Sequence, residues 1–277
     1  MIVWLDGDLV PLDTARISPL DHGFTVGDGV FETLRVYDGI PFAWRRHAAR
    51  LGNSAAGLGL AVPDPGALRE AADSVLTANE LSDARLRITV TGGPAPPGSG
   101  RGDAGPTVVV VAAALEPREE TAAVTVVPWT RNERSATAGL KTTSYAENVR
   151  ALALARDRGC SEALFANTRG ALCEGTGSNV FVVDGGRICT PPAAAGCLLG
   201  VSRALVLELA GELGIEAEER DLPPAALLGA DEAFLTSTTR EVQPIARVDG
   251  TTLRAPGPLT ARLAAAFADL VRRDPDP

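Results

Sequence analysis

Lysine is all but missing from this chain of 277 residues: Lys141 stands alone against 25 arginines. Histidine is nearly as scarce, with only His22 and His47. The four cysteines, Cys160, Cys173, Cys189 and Cys197, lack CxxC spacing and sit among apolar neighbours. So few clustered thiol and imidazole ligands exclude a zinc site, and the cysteines read as buried, reduced thiols. Positive charge is short overall, with 26 Lys and Arg against 35 Asp and Glu, a net charge of −9 and a pI near 4.9. With neither a basic stripe nor an arginine-rich arm, nucleic acid and anionic membrane surfaces are excluded as partners. No apolar run approaches the ~18 residues of a membrane-crossing helix. The opening "MIVWLDGDLVPLDTARIS" has no basic segment followed by an apolar one, so no signal peptide is expected. The expected location is cytoplasmic.

What is present is a globular, core-forming composition, 45% hydrophobic and 22% charged. The length suits two medium domains. "IVWLDGDLV" and "GVFETLRVYDGIPFAW" read as β-hairpins around Asp-Gly turns. Helical periodicity follows in "RRHAARLGNSAAGLGL" and in "DPGALREAADSVLTANEL", the latter starting at Asp64 or Pro65. "ARLRITVTGG" and "PTVVVVAAAL" are strands, separated by the Gly/Pro-rich loop "GGPAPPGSGRGDAG". Residues 1–115 form an expected N-terminal α/β domain, 116–122 ("EPREETA") a linker, and 123–277 a C-terminal domain. In that second domain strands ("AVTVVPW", "EALFANTRG", "NVFVVDGGRICTPP", "DEAFLTSTTREVQPIARVDG") mix with helices ("SYAENVRALALARDRG", "VSRALVLELAGELG", "LTARLAAAFADLVRR") without strict βαβ alternation. The fold class is mixed α/β (α+β) in two domains.

The lone lysine lies in "GLKTTSYAENVRAL", among small and hydroxylic neighbours at a strand-to-helix junction. A desolvated lysine there can lose its proton, and only a neutral amine forms an imine with a carbonyl or with pyridoxal phosphate. Arginine, always protonated, cannot. A pyridoxal site also needs an acid for the pyridine nitrogen and a phosphate cradle. Glu174 in "CEGTGSNVF" is an isolated acid followed by glycines that permit close backbone approach. Val201 and Ser202 follow Gly200 at a helix N-terminus, where free amides and a hydroxyl favour an anion. "LTSTTRE" sets Ser237, Thr238 and Thr239 in a donor-rich turn, and Arg50 in "HAARL" offers positive charge.

In conjunction and order these segments, with "HGFTVGDGVFETLRVYDG", "TPP" and "GCLLGVSRALV", resemble the fold-type IV (class IV) PLP-dependent aminotransferases, along nearly the whole chain. That family includes branched-chain and D-amino-acid aminotransferases, (R)-amine transaminases and aminodeoxychorismate lyase. The resemblance implies that Lys141 binds pyridoxal 5′-phosphate and shuttles the substrate Cα proton, that Glu174 pairs with the pyridine nitrogen and that Tyr145 lies near the phenolic oxygen. It implies that Arg50, Val201, Ser202 and Thr238 hold the phosphate with Ser237 adjacent, and that Thr239 helps bind a substrate carboxylate. It further implies a homodimer with the active site between the domains, completed by the other subunit.

Membership within the family is less constrained. Arg85 and Arg87 share one face of their strand, and Arg87 aligns with an arginine that branched-chain enzymes place near the substrate. Val26 stands where those enzymes carry a tyrosine. The loop after the strand lacks the histidine of the best-known D-amino-acid enzymes, so their carboxylate trap is either absent or rebuilt from Arg87, Arg101 or Arg240. The expected reaction is amino transfer between an amino acid, D-configured or relaxed toward amines, and a 2-oxo acid. The competing reading is aminodeoxychorismate lyase, which uses the same lysine to release pyruvate.

Overall fold

The chain opens with a hairpin, β1 (Ile2–Leu5) and β2 (Asp8–Pro11), turning at Asp6-Gly7 as the sequence predicts. A single turn of helix, α1 (His22–Thr25), is capped by the Asp21 carboxylate, which accepts from Gly23 N at 2.8 Å. Strand β3 (Gly29–Tyr37) and the short β4 (Ile40–Pro41) form the second hairpin, followed by helices α2 (Trp44–Leu58) and α3 (Pro65–Ala78). Asp64 caps α3 and Pro65 occupies its first position, where a missing N–H costs nothing. β5 (Ala84–Thr91) and β6 (Val108–Ala114) complete an antiparallel six-stranded sheet, in the order β2-β1-β6-β5-β3-β4.

Alternation along this sheet decides what lies inside. Val30, Leu34 and Val36 of β3, with Leu86, Ile88 and Val90 of β5, pack against Leu51 and Ala55 of α2 and Leu68, Ala72 and Val75 of α3. Glu32 lies on that same buried face, and Phe31 and Arg87 lie on the opposite one.

The remaining elements are β7 (Ala122–Arg131), α4 (Ala146–Asp157), β8 (Glu162–Asn167), β9 (Leu172–Gly175), β10 (Asn179–Asp184) and β11 (Arg187–Thr190), then α5 (Val201–Glu212), β12 (Ala217–Glu219), α6 (Ala225–Leu228), β13 (Glu232–Ser237), β14 (Glu241–Val248), β15 (Thr251–Thr252) and α7 (Pro258–Arg273). Nine strands form one mixed sheet, β12-β11-β10-β13-β14-β7-β8-β9 with β15 on β14. The β14–β7, β7–β8 and β11–β12 pairs are parallel. Its core joins Val124, Leu164, Leu172, Val180, Leu235 and Ile245, while Phe181 and Phe234, directly opposite each other, stack at 4.7 Å. A satellite cluster seats Ala151 and Ala155 of α4 on Val127, Ala163 and Phe165.

This computed structural model describes residues 1–277, which divide into two units. The first comprises Met1–Glu116, Leu140–Tyr145 and Pro275–Pro277; the second comprises Pro117–Gly139 and Ala146–Asp274. The short stretch around Lys141, assigned above to the C-terminal domain, therefore joins the first unit. The cause is a backbone ladder. Phe31 N donates to Lys141 O at 3.1 Å, Thr143 N donates to Gly29 O at 2.8 Å, and Thr142 pairs with Val30. No helix of the chain is long and apolar enough to cross a membrane.

Candidate active site

In the first unit the Lys141 segment is held on both sides. Its amide donates to Ser54 Oγ on α2 at 3.1 Å, and the Thr143 and Ser144 hydroxyls donate to Gly27 O at 2.9 and 3.0 Å. Gly27 has φ +71°, and a Cβ there would lie 2.7 Å from Ser144 Oγ, so glycine is required for this approach. The half-buried Lys141 then sets its Nζ 4.3 Å from the Phe31 ring centroid and 5.9 Å from that of Tyr145. Those two rings meet edge to face at 5.2 Å. The Arg87 guanidinium carbon lies 3.8 Å from the Phe31 centroid, and Arg87 Nε donates to Thr89 Oγ1 at 3.1 Å. Arg87 reaches that ring because Phe31 pairs across the strands with Thr89, its neighbour but one. Lys141, Tyr145 and Arg87 are thus gathered around Phe31, a residue that the sequence reading passed over.

Behind this face lies a buried ionic cluster that the sequence reading also missed. Arg50 donates to Glu32 through Nε at 2.7 Å and Nη2 at 2.8 Å, and His47 Nδ1 lies 2.7 Å from Glu32 Oε2. Burial alone would raise the Glu32 pKa, but the charges and hydrogen bonds of Arg50 and His47 outweigh it and draw it down to about 2. Glu32 is therefore a carboxylate, and its short contact with His47 requires the proton on Nδ1. Burial lowers the His47 pKa and outweighs the Glu32 charge and hydrogen bond, which raise it; the charges of Arg50 and Lys141 lower it further. The signal was legible: an acid on the apolar face of β3, and His and Arg three residues apart on the facing helix.

In the second unit Glu174 lies on β9, directly opposite Phe165 of β8. Its Oε2 accepts from Leu198 N at 2.9 Å, and its Oε1 is 3.5 Å from Arg131 Nε. Arg131 stacks over Phe165 at 4.3 Å and donates to Asn148 Oδ1 at 3.1 Å. Helix α5 starts at Val201, with Gly200 as N-cap and no capping side chain. A Cβ on Gly200 would come within 2.2 Å of Asn179 Oδ1, and Asn179 donates to Leu198 O at 2.8 Å. Ser202 is buried in the first turn. Ser237 ends β13, and Thr238, Thr239 and Arg240 form the half-buried turn to β14.

Two of the three arginines weighed for a carboxylate trap are engaged elsewhere. Arg101 grips Asp28 through Nε at 2.7 Å and Nη2 at 2.6 Å, and donates to the Gly59 and Leu58 carbonyls at the end of α2. The Arg101 hydrogen bond holds the Asp28 carboxyl below its ordinary range. Arg240 donates to Ser161 O at 3.1 Å and to Gln243 Oε1. Arg87 shares the Phe31 ring with Lys141. Val26 is half-exposed at the end of α1.

These residues fit pyridoxal 5′-phosphate by the chemistry of their donors. The second unit offers a carboxylate held by a backbone amide, an uncapped helix start where glycine is enforced, and a hydroxyl-rich turn that directly follows Thr236, whose buried Oγ1 has no hydrogen-bond partner. The first offers a primary amine on an aromatic face and an arginine oriented by a buried carboxylate.

The chain's likeness to known proteins agrees with this set. A family model described as amino-transferase class IV matches residues 29–248. The D-alanine aminotransferase of Bacillus licheniformis is 34% identical over 98% of this chain and 97% of its own length. The branched-chain-amino-acid aminotransferase of Pseudomonas aeruginosa is 33% identical over 98% of this chain and 92% of its own. Among solved structures, the branched-chain aminotransferase of Thermoproteus uzoniensis, determined with norvaline, superposes with a TM-score of 0.93 at 31% identity, covering 100% of this chain and 97% of that one. The chain belongs to the class IV aminotransferases, enzymes of fold type IV that work with pyridoxal 5′-phosphate.

Proposed function

We propose that this enzyme moves an amino group from a carboxylate-bearing donor, a D-amino acid or one accepted with relaxed handedness, to a 2-oxo acid, with Lys141 as the catalytic residue. The observation that carries the reading is the placement of the single lysine: Nζ lies on the Phe31 ring that also seats Arg87. When bound, pyridoxal 5′-phosphate supplies an electron sink that makes the donor's Cα–H acidic. Lys141 Nζ anchors the cofactor and, as the neutral amine, takes and returns the Cα proton. Arg50, the amides of Val201 and Ser202, and the Ser237–Thr238 hydroxyls hold the phosphate, Glu32 keeping Arg50 in orientation. Glu174 holds the ring nitrogen protonated, and Tyr145 orients the phenolic oxygen. Arg87, with Thr239, receives the donor carboxylate; Phe31 and Val26 line the space for its side chain.

The D-configured or relaxed reading is supported by Val26, a small residue where branched-chain enzymes have a tyrosine, and by the B. licheniformis relative's activity on D-alanine. An L-branched-chain donor is the second reading, favoured by the P. aeruginosa relative. We read the enzyme as a cytoplasmic homodimer whose second subunit completes the site. The exposed Ile17, Leu20 and Phe24 give it an apolar surface to bury, and the four buried, unpaired cysteines suit a reducing compartment.

The test mixes holoenzyme with one donor at a time and follows conversion to the pyridoxamine form. D-Alanine and related D-amino acids should convert it; conversion by L-leucine or L-valine alone establishes the second reading. No conversion by any donor, with pyruvate released from aminodeoxychorismate, would make the enzyme a lyase and overturn the proposal.

A further inference from the structure

The roles just proposed leave Arg240 without a task, although it sits in an extended polar network of the second unit. It closes the three-residue turn from Ser237, the last residue of β13, to Glu241, the first of β14, which pairs with Ser237. That turn contains no glycine, and Glu241 adopts φ +54°, a left-handed conformation unusual for a side chain of that size. Contacts must therefore hold the turn in shape. Arg240 N donates to Ser237 Oγ at 3.2 Å, and Arg240 O accepts from Arg118 Nη1. The guanidinium reaches away from the turn, to Gln243 Oε1, to Ser161 O at 3.1 Å and to Glu162 Oε2 at 3.5 Å. Gln243 is fixed in turn, its Nε2 donating to Glu119 O at 2.7 Å.

Glu162 is the node. It is 1% exposed, and it accepts from Thr176 N at 3.1 Å, Thr176 Oγ1, Ser178 Oγ at 2.9 Å and Ala163 N at 3.0 Å. These bonds fix the turn that follows Glu174 on β9. Asn148 Nδ2 clamps the same turn through Thr176 O at 2.5 Å. A buried carboxylate needs a cation as well as donors, and Arg240 is the guanidinium beside it. One planar fork thus spans from the Ser237–Thr239 turn to the carboxylate that organises residues 176–178. Lysine, a point charge on a flexible stem, could not span it.

We infer that Arg240 is a positioning residue. It fixes the Ser237–Thr239 turn against the Glu162 node, so that the turn's donors stand ready for the cofactor phosphate. The inference rests on the reading that this turn meets the phosphate, and it assigns to Arg240 an indirect role in place of the substrate contact first considered.

The test compares two ligands, pyridoxal 5′-phosphate and pyridoxal, titrated into cofactor-free full-length protein and followed by the visible absorbance of the bound ligand. A substitution that merely loosens the unit weakens both alike. Arg240→Ala should weaken pyridoxal 5′-phosphate roughly tenfold, the scale of one charge-assisted hydrogen bond, while pyridoxal changes by less than about twofold. Arg240→Lys, which keeps the charge and the fold, should show the same selective loss to a smaller degree. Equal losses for the two ligands, or a lysine variant indistinguishable from wild type, would overturn the inference. A wild type that takes up neither ligand refutes the cofactor reading itself, and this inference with it.

Discussion

Glu32→Gln is the substitution that weighs the buried cluster behind Lys141. The change keeps the shape and removes the charge, leaving Arg50, 14% exposed in its side chain, and the 3%-exposed His47 beside a neutral amide. Removing one partner of a buried pair costs about 3–5 kcal/mol, because the other charge stays behind without compensation. Linkage gives a second route to the number. A carboxylate drawn from 4.5 to about 2 contributes about 3 kcal/mol to stability at neutral pH. Since the folded-state pKa is the lower one, this contribution is fully present above pH 4.5 and is lost as pH falls toward 2. Hydrogen exchange of the β3 and α2 amides in cofactor-free protein reads the loss locally. Their protection at neutral pH should drop roughly 100-fold, the equivalent of ~3 kcal/mol. An acid titration should then show a shallower decline between pH 4.5 and 2 in the variant. Protection within about threefold of wild type, or an equally steep acid decline, would refute the reasoning.

Arg87→Ala should raise KM for a carboxylate donor and lower kcat/KM by roughly 10–100-fold, the scale of one charge-assisted pair, with less effect on an amine donor lacking the carboxylate; steady-state kinetics on matched donors checks it. Gly200→Ala places a Cβ 2.2 Å from Asn179 Oδ1 and must displace Asn179 from Leu198 O. It should weaken cofactor retention on dialysis by about tenfold or more, through an overpacking cost of ~1–3 kcal/mol. Arg101→Ala releases the 92–105 loop from Asp28, Leu58 and Gly59 and should make that loop the first site of limited proteolysis, leaving the absorbance of bound cofactor intact.

Much of this architecture was legible from chain-local signals. The Asp-Gly turns, the alternation of "ARLRITVT" and the Asp64-Pro65 start of α3 each act over a few residues, and each reads directly from the sequence. Lys141 and Glu174 stood out as candidates for a related reason: a unique amine and an isolated acid are distinctive by chemistry. What escaped was set by contacts distant in sequence. Nothing local announces that residues 140–145 ladder onto the start of β3, more than a hundred residues earlier, and so join the first unit. The spare arginines show the same limit. Arg101 and Arg240 looked available as free charges; only the fold brings Asp28 to the one and Glu162 with Gln243 to the other. Phe31 was read as one apolar position of a strand, and its importance comes from the register that sets Arg87 over it.

The most direct measurement is to reduce the holoenzyme with borohydride, digest it and map the pyridoxyl group by mass spectrometry. Primary amines are confined to Lys141 and the chain's α-amino group, so the map has few possible answers. The account predicts stoichiometric modification of the peptide carrying Lys141, and its disappearance in Lys141→Ala. A pyridoxyl group on the α-amino terminus alone, or an unlabelled Lys141 in protein that retains its cofactor, would contradict it.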